Sequence, residues 1–88
     1  MLIDQRSKED YEQEHLKGAF NIELDELLEL ARHDLLKSRS IYIDTPLYIY
    51  CYGGACAKKS VETLVKMGYN ALNIGGYEEL KELNTYDE

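Results

Sequence analysis

The 88-residue sequence lacks tryptophan and contains a single proline and two cysteines. With so few cysteines, the chain is not a small secreted scaffold held together by many disulfides. It also lacks any apolar run that approaches the length of a membrane span, and its first residues lack the apolar stretch of a signal peptide. We therefore expect a cytoplasmic protein without membrane association.

Basic residues are also scarce, because 10 lysines and arginines face 17 aspartates and glutamates, for a net charge of −7. This balance disfavours nucleic acid, whose phosphate backbone requires a basic face. The two cysteines are separated by four residues, and the two histidines, His15 and His33, stand apart from them. This spacing does not supply a zinc site, so we predict neither a metal nor a cofactor.

Apolar periodicity and turn residues divide the chain into alternating strands and helices within one domain, residues 1–88. Strands are predicted at residues 2–4, 19–22, 47–50 and 70–74. Helices are predicted at residues 8–14, 25–36, 57–67 and 77–83, with Ser7 as the N-cap of the first and Gly68 as the C-cap of the third. Such alternation predicts an α/β fold, with a mainly parallel sheet and helices on both faces. The run 47–50 is apolar throughout, which predicts burial on both faces.

The segment Tyr50-Cys51-Tyr52-Gly53-Gly54-Ala55-Cys56 joins a predicted strand to a predicted helix. Gly53 and Gly54 are able to adopt positive φ, so successive N–H groups can point inward toward Cys51 near a helix N-terminus. Such an environment lowers the pKa of a thiol and favours the nucleophilic thiolate. The same pattern also fits a small cysteine buried in a tight turn, and the loop alone leaves both interpretations open.

Five segments in order resemble the motifs of the rhodanese-homology domain family. They are an Asp-x-Arg at Asp4–Arg6, a His-x-x-Gly-Ala-x-Asn-Ile at His15–Ile22, the strand that enters the cysteine loop, Gly68-Tyr69, and Asn73-Ile74-Gly75-Gly76-Tyr77. The resemblance covers nearly the whole chain. It implies a rhodanese-like three-layer α/β fold, shortened at the N-terminus compared with typical members.

The family resemblance implies transfer of sulfane sulfur through a cysteine persulfide. By position, Cys51 is the catalytic nucleophile. The residues implied to bind substrate, mostly through backbone N–H groups, are Tyr52, Gly53, Gly54, Ala55 and Cys56. Asp4, Arg6 and His15 match motif positions, and we interpret them as mainly structural, with Asp4 and Arg6 tying loops together and His15 ordering the turn before Gly18. The implied partners are a small sulfur donor, thiosulfate or a persulfide, and a thiol, protein or cyanide acceptor.

Three departures from the family pattern modify these expectations. The loop has Tyr52 and Cys56 where many members have an arginine, so weak activity on thiosulfate is expected. Cys56 fits either a resolving thiol that pairs with Cys51 or a small residue at the helix N-cap. The missing upstream strand predicts an exposed sheet edge, and with it a weak homodimer or a partner that covers the edge.

Other functions remain in competition with sulfur transfer. A non-catalytic protein-binding module would use the same fold and the eight tyrosines of the chain. A redox sensor would use Cys51 and Cys56 as a reversible pair. A phosphatase is disfavoured, because the related phosphatase loop ends in an arginine six residues after the cysteine, where this chain has Ala57.

Overall fold

A computed structural model describes residues 1–82 and the backbone of residues 86 and 87. The strands are β1 (Leu2–Asp4), β2 (His15–Leu16), β3 (Phe20–Asn21), β4 (Leu47–Cys51), β5 (Ala71–Gly76) and β6 (Tyr86–Asp87). The helices are α1 (Lys8–Gln13), α2 (Leu24–Arg32), α3 (Ala55–Lys66) and α4 (Tyr77–Leu80), with a short 3-10 turn at Leu36–Arg39.

Four strands form a parallel sheet in the order β3-β1-β4-β5, and β2 pairs with β6 in a separate antiparallel ribbon. The parallel arrangement confirms the α/β class predicted from the alternation of strands and helices. It also brings the carboxyl ends of β1, β4 and β5 to the same edge of the sheet, where sites form in such folds. Within the described residues, β3 and β5 are the two edges, whereas β1 is internal.

Helices cover both faces of the sheet, as predicted. On one face, α2 and α3 pack on alternate residues of the strands, and the buried cluster there includes Ile3, Leu27, Ile49, Cys51 and Leu64. On the other face, a smaller cluster contains Leu16, Ala19, Tyr50 and Tyr77. Successive residues of a strand point to opposite faces, so Cys51 and Tyr50 belong to different layers.

Strand β4 is less completely buried than its apolar sequence predicts. Ile49, Tyr50 and Cys51 are buried, but Tyr48 is 44% exposed. Its neighbour in the register, Leu72 of β5, is exposed as well. Within the described part of the chain, Tyr48 and Leu72 therefore form an exposed apolar pair on that face of the sheet.

The second helix ends at Arg32, four residues before the predicted end at residue 36. Asp34 adopts a left-handed conformation with φ of 57°. Its N–H donates to the Ala31 carbonyl at 3.2 Å, and the Leu35 N–H donates to the Leu30 carbonyl at 2.7 Å. This pair of bonds is a Schellman motif, which is usually formed by glycine and was therefore missed in the sequence.

The remaining boundary differences are small. Residues 15 and 16, predicted to end the first helix, form β2, and β3 is shorter than predicted. Strand β5 continues through Gly75 and Gly76, which were predicted to form a turn; its pairing with β4 shifts register there. Helix α4 ends at Leu80, and position 83 of its predicted span lies outside the described residues. The N-cap at Ser7 is confirmed, since its side chain accepts from the Asp10 N–H at 3.2 Å.

None of the helices in the described part of the chain is long and apolar enough to span a membrane.

Candidate active site

Cys51 is the last residue of β4 and is 1% exposed. Two backbone groups converge on its sulfur: the Gly54 N–H donates to Sγ over 3.2 Å, and the Ala57 N–H donates over 3.4 Å. The second donor belongs to the first turn of α3, whose N–H groups have no partners within the helix. These two donors and the positive end of the helix dipole favour a negatively charged sulfur at this position.

The tight turn between β4 and α3 depends on Gly54. This residue has φ of 95° and is the N-cap of α3. Gly53, which is also able to adopt positive φ, does not adopt it in this loop. Helix α3 consequently begins at Ala55, two residues earlier than predicted, which brings the Ala57 N–H within reach of Cys51.

The side chain of Asn73 connects the loop to β5. Its Nδ2 donates to the Gly54 carbonyl at 3.0 Å, and its Oδ1 accepts from the Gly75 N–H at 2.9 Å. The Gly54 carbonyl also accepts from the Lys58 N–H at 2.9 Å, inside α3. The Gly54 carbonyl is thus held from both sides, by α3 and by β5.

Gly76 allows the loop to lie directly on the end of β5. A Cβ atom at this position would lie 2.5 Å from the Tyr52 carbonyl oxygen and 3.0 Å from the Gly53 Cα. Since both contacts are with backbone, neither is relieved by a side-chain rotation. Any larger residue at Gly76 therefore requires a displacement of the cysteine loop.

The side chain of Tyr52 turns away from Cys51 and contacts the start of α1. Its hydroxyl donates to Asp10 Oδ2 and accepts from the Ser7 N–H at 3.2 Å. The hydrogen bond from Tyr52 lowers the pKa of the Asp10 carboxyl. Tyr52 therefore joins the loop to α1 through its side chain.

Cys56 is the second residue of α3, not its N-cap, so the interpretation of Cys56 as a capping residue is wrong. It is half-buried and packs on the core cluster that contains Cys51. Burial raises the pKa of the Cys56 thiol; Cys51 and Asp25 raise it further, while Lys59 lowers it. Both cysteines are free thiols.

A buried network supports the site from the other face of the sheet. The Arg6 guanidinium contacts the Asp4 carboxylate at 2.9 Å and donates to the Glu14 carbonyl at 2.6 Å. The Tyr50 hydroxyl donates to Asp4 Oδ2 at 2.7 Å, and burial raises the pKa of Tyr50, which keeps this donor protonated. These contacts agree with the expectation that Asp4 and Arg6 tie loops together. We expect His15 to order the turn before Gly18, and its ring stacks on Tyr11 of α1 with centroids 3.9 Å apart.

An acidic cleft of about 480 Å³ lies beside the cysteine loop, against the outer side of Tyr52. Its ionisable wall residues are Asp10, Glu14, Glu78 and Arg6. The Arg6 charge is paired with Asp4 and is only 4% exposed. Lys81 Nζ lies 4.0 Å from the Glu14 carboxylate and 3.1 Å from the Glu78 carboxylate, so two of the three carboxylates are paired.

The structure places the five implied binding residues in different ways. The Gly54 N–H donates to Cys51, and Cys56 lies near Cys51. The side chain of Tyr52 instead contacts α1. Gly53 and Ala55 are exposed and form no hydrogen bond to the Cys51 sulfur. Sequence reasoning missed Ala57, Asn73 and Gly76, although Asn73 and Gly76 lie within the Asn-Ile-Gly-Gly motif. Among residues 1–82, no group of His, Cys, Asp and Glu is arranged to hold a metal ion.

Comparison with known proteins agrees with this geometry. The model of the rhodanese-like domain matches residues 1–83. The thiosulfate sulfurtransferase PspE of Escherichia coli is 33% identical over 85 residues, which span 89% of this chain and 71% of that protein. The thiosulfate sulfurtransferase GlpE of Coxiella burnetii is 28% identical over 83 residues, 92% of this chain and 71% of that protein. A solved structure described as a rhodanese with anions, from E. coli, superimposes with a TM-score of 0.70 at 33% identity, covering 89% and 87% of the two chains.

Proposed function

The chain belongs to the rhodanese-like domain family, and from this premise we propose that it transfers sulfane sulfur through a persulfide on Cys51. The observation that carries the proposal is the convergence of the Gly54 and Ala57 N–H groups on the Cys51 sulfur. Both relatives named above are sulfurtransferases, which supports this type of activity at the level of the family.

The proposed reaction has two displacement steps. In the first, the Cys51 thiolate attacks the outer sulfur of the donor, the bond from that sulfur to the rest of the donor breaks, and the leaving group departs with the electron pair. In the second, an acceptor nucleophile attacks the outer sulfur of the Cys51 persulfide, and Cys51 leaves as a thiolate. The two backbone donors serve both steps, because each can donate to the Cys51 sulfur while that sulfur carries negative charge.

The charges around the loop favour a persulfide over thiosulfate as donor. Lys58 and Lys59 are exposed residues of α3, and the nearby cleft is lined by three carboxylates. An arginine that would bind the sulfonate end of thiosulfate in bidentate fashion is absent from the loop sequence, residues 51–56. We therefore propose weak turnover of thiosulfate and faster loading from a persulfide.

Incubation with cysteine persulfide followed by intact mass measurement tests the proposal. Wild type and Cys56→Ser are expected to gain the mass of one sulfur atom, and Cys51→Ser is expected to gain none. Addition of cyanide should remove the sulfur and yield thiocyanate. No mass gain that depends on Cys51 would refute the proposed function.

A reversible Cys51–Cys56 redox pair is the second candidate, favoured by the contact between the two thiols. It predicts loss of two hydrogen masses after mild oxidation, reversed by a reductant. If both thiols remain titratable after oxidation, this candidate is excluded.

A further inference from the structure

We propose that Cys56 is a relay thiol, which takes the outer sulfur from Cys51 and presents it to acceptors at the protein surface. This inference rests on the proposed function, because it requires a persulfide on Cys51. This role of Cys56 is separate from the hydrogen bonds that Gly54 and Ala57 donate to Cys51, and the family motif does not imply it.

Cys56 lies close to the Cys51 sulfur, in the first turn of α3. The Ala57 nitrogen lies 3.4 Å from Cys51 Sγ and is joined to the Cys56 Cα through one carbonyl carbon. Standard bond lengths therefore place the Cys56 Cα within about 6 Å of Cys51 Sγ. Cys56 also packs on the buried cluster that contains Cys51, and Cys51 is one of the groups that raise the pKa of its thiol.

A relay requires the receiving thiol to be more accessible than the donating one, and the two cysteines differ in this way. Cys51 is 1% exposed at the bottom of the loop, whereas Cys56 is half-buried. A small acceptor such as cyanide needs little space to approach the outer sulfur, but the thiol of a folded protein needs an accessible atom. Cys56 lies between the buried sulfur and solvent and offers that atom.

The leaving group decides which sulfur Cys56 attacks. The Cys56 thiolate attacks the outer sulfur of Cys51–S–SH, the S–S bond breaks, and Cys51 leaves as a thiolate while Cys56–S–SH forms. The proton lost from Cys56 goes to Cys51 or to solvent, and there is no net oxidation or reduction. Gly54 and Ala57 donate to Cys51 Sγ, so both N–H groups are placed to receive the negative charge that develops on Cys51 as it leaves.

The ionisation of Cys56 controls the rate of the relay. The groups that act on it are Cys51 at the end of β4 and Asp25 of α2, which raise its pKa together with burial, and Lys59 of α3, which lowers it. The Cys56 thiolate is therefore scarce at neutral pH, which slows the transfer of sulfur from Cys51 to Cys56. The transfer rate should continue to increase above about pH 8.5, the ordinary value for a thiol.

The position of the sulfur in the loaded protein is the direct test. The protein is loaded with cysteine persulfide, alkylated, digested, and sequenced by fragment mass, which locates the extra sulfur on Cys51 or Cys56. We expect sulfur on both cysteines in the wild type, with the Cys56 fraction increasing with pH, and on Cys51 alone in Cys56→Ser. Two rates of sulfur transfer are also compared, one to a reduced protein thiol and one to cyanide. We expect the first rate divided by the second to fall about tenfold in Cys56→Ser, because thiol-exchange rates depend on access.

A matched control moves the thiol along the helix. In Cys56→Ser combined with Ala55→Cys, the new thiol is exposed but rotated by about 100° around α3, away from Cys51. The new thiol at position 55 should carry no sulfur, and the rate to protein thiols relative to cyanide should stay low. Restoration by this variant would mean that any surface thiol suffices, and it would overturn the relay.

Three further outcomes separate the hypotheses. Sulfur found on Cys51 and never on Cys56 overturns the relay and leaves the proposed function standing. A Cys51–Cys56 disulfide formed with release of hydrosulfide means that Cys56 attacks the inner sulfur, which also overturns the relay. No sulfur gain in any variant that retains Cys51 refutes the proposed function itself.

Discussion

Asn73 Nδ2 donates a 3.0 Å hydrogen bond to the carbonyl of Gly54, the residue whose N–H faces the Cys51 sulfur. The cysteine loop is therefore tied to β5 by a side chain that lies 22 positions after Cys51 in the sequence. Removal of this contact tests whether the loop is held in place by β5 or by its own conformation.

Asn73→Ala should lower the rate of sulfur loading by roughly tenfold to a hundredfold, because small misplacements of reacting groups are costly. Stability should fall by only about 1 kcal/mol, the net value of a typical hydrogen bond. Loading rates by intact mass and urea unfolding measure the two effects. Asn70→Ala is the control, since Asn70 is exposed at the other end of β5. Equal loading rates in both variants would contradict a role for the Asn73 side chain in holding the cysteine loop.

Gly76→Ala should destabilise the protein and displace the loop. Its Cβ would lie 2.5 Å from the Tyr52 carbonyl oxygen, and relief of such overpacking costs about 1–3 kcal/mol. Gly53→Ala is the matched control in the same loop, because a Cβ there meets no atom within 4 Å. Its free energy of unfolding should stay within about 0.5 kcal/mol of wild type. Similar losses in both variants would count against the close approach of Gly76 to the loop.

Asp4→Asn should destabilise the protein by about 3–5 kcal/mol, because it leaves the Arg6 charge buried without its partner. Glu26→Gln breaks an ion pair with Arg39 that is exposed to solvent, and it should cost only about 0.2–1 kcal/mol. Chemical denaturation of the two variants measures the contrast. Comparable losses would indicate that burial of the Asp4–Arg6 pair has no energetic consequence.

The contact between Tyr52 and Asp10 predicts a pH-dependent difference between wild type and Tyr52→Phe. The hydrogen bond lowers the pKa of Asp10 in the folded state, so its contribution to stability is present above the ordinary aspartate value of about 3.9. That contribution is lost as the pH falls through the lowered pKa of the folded state. The stability advantage of wild type over Tyr52→Phe should therefore be largest near neutral pH and should narrow below about pH 4.

Carboxyl NMR titration provides a direct check, because Tyr52→Phe should move the pKa of Asp10 upward toward its ordinary value. An unchanged Asp10 titration would show that the hydroxyl of Tyr52 does not contact it in solution.

The sequence of this chain determined the class of fold and the position of the cysteine that we propose as its nucleophile. Alternating apolar segments specify strands and helices because each must bury one face, and Cys51 follows directly on the most apolar of these segments. Ser7 sets the start of α1 through a hydrogen bond to the Asp10 N–H, so its effect needed no distant partner. Asp34 shows the limit of such local reasoning, since a left-handed aspartate ended α2 where periodicity predicted its continuation.

Only the tertiary structure decided which groups surround the Cys51 sulfur. The side chain of Ala57 gives no indication of a role in the site. Its N–H donates to Cys51 because α3 begins at Ala55, which places Ala57 in the first turn of the helix. Asn73 and Gly76 act on the loop because the parallel pairing of β5 with β4 brings them beside it. The cysteine could be recognised from its local sequence, but the donors that surround it come from backbone and from distant residues, which only the packing of the sheet brings together.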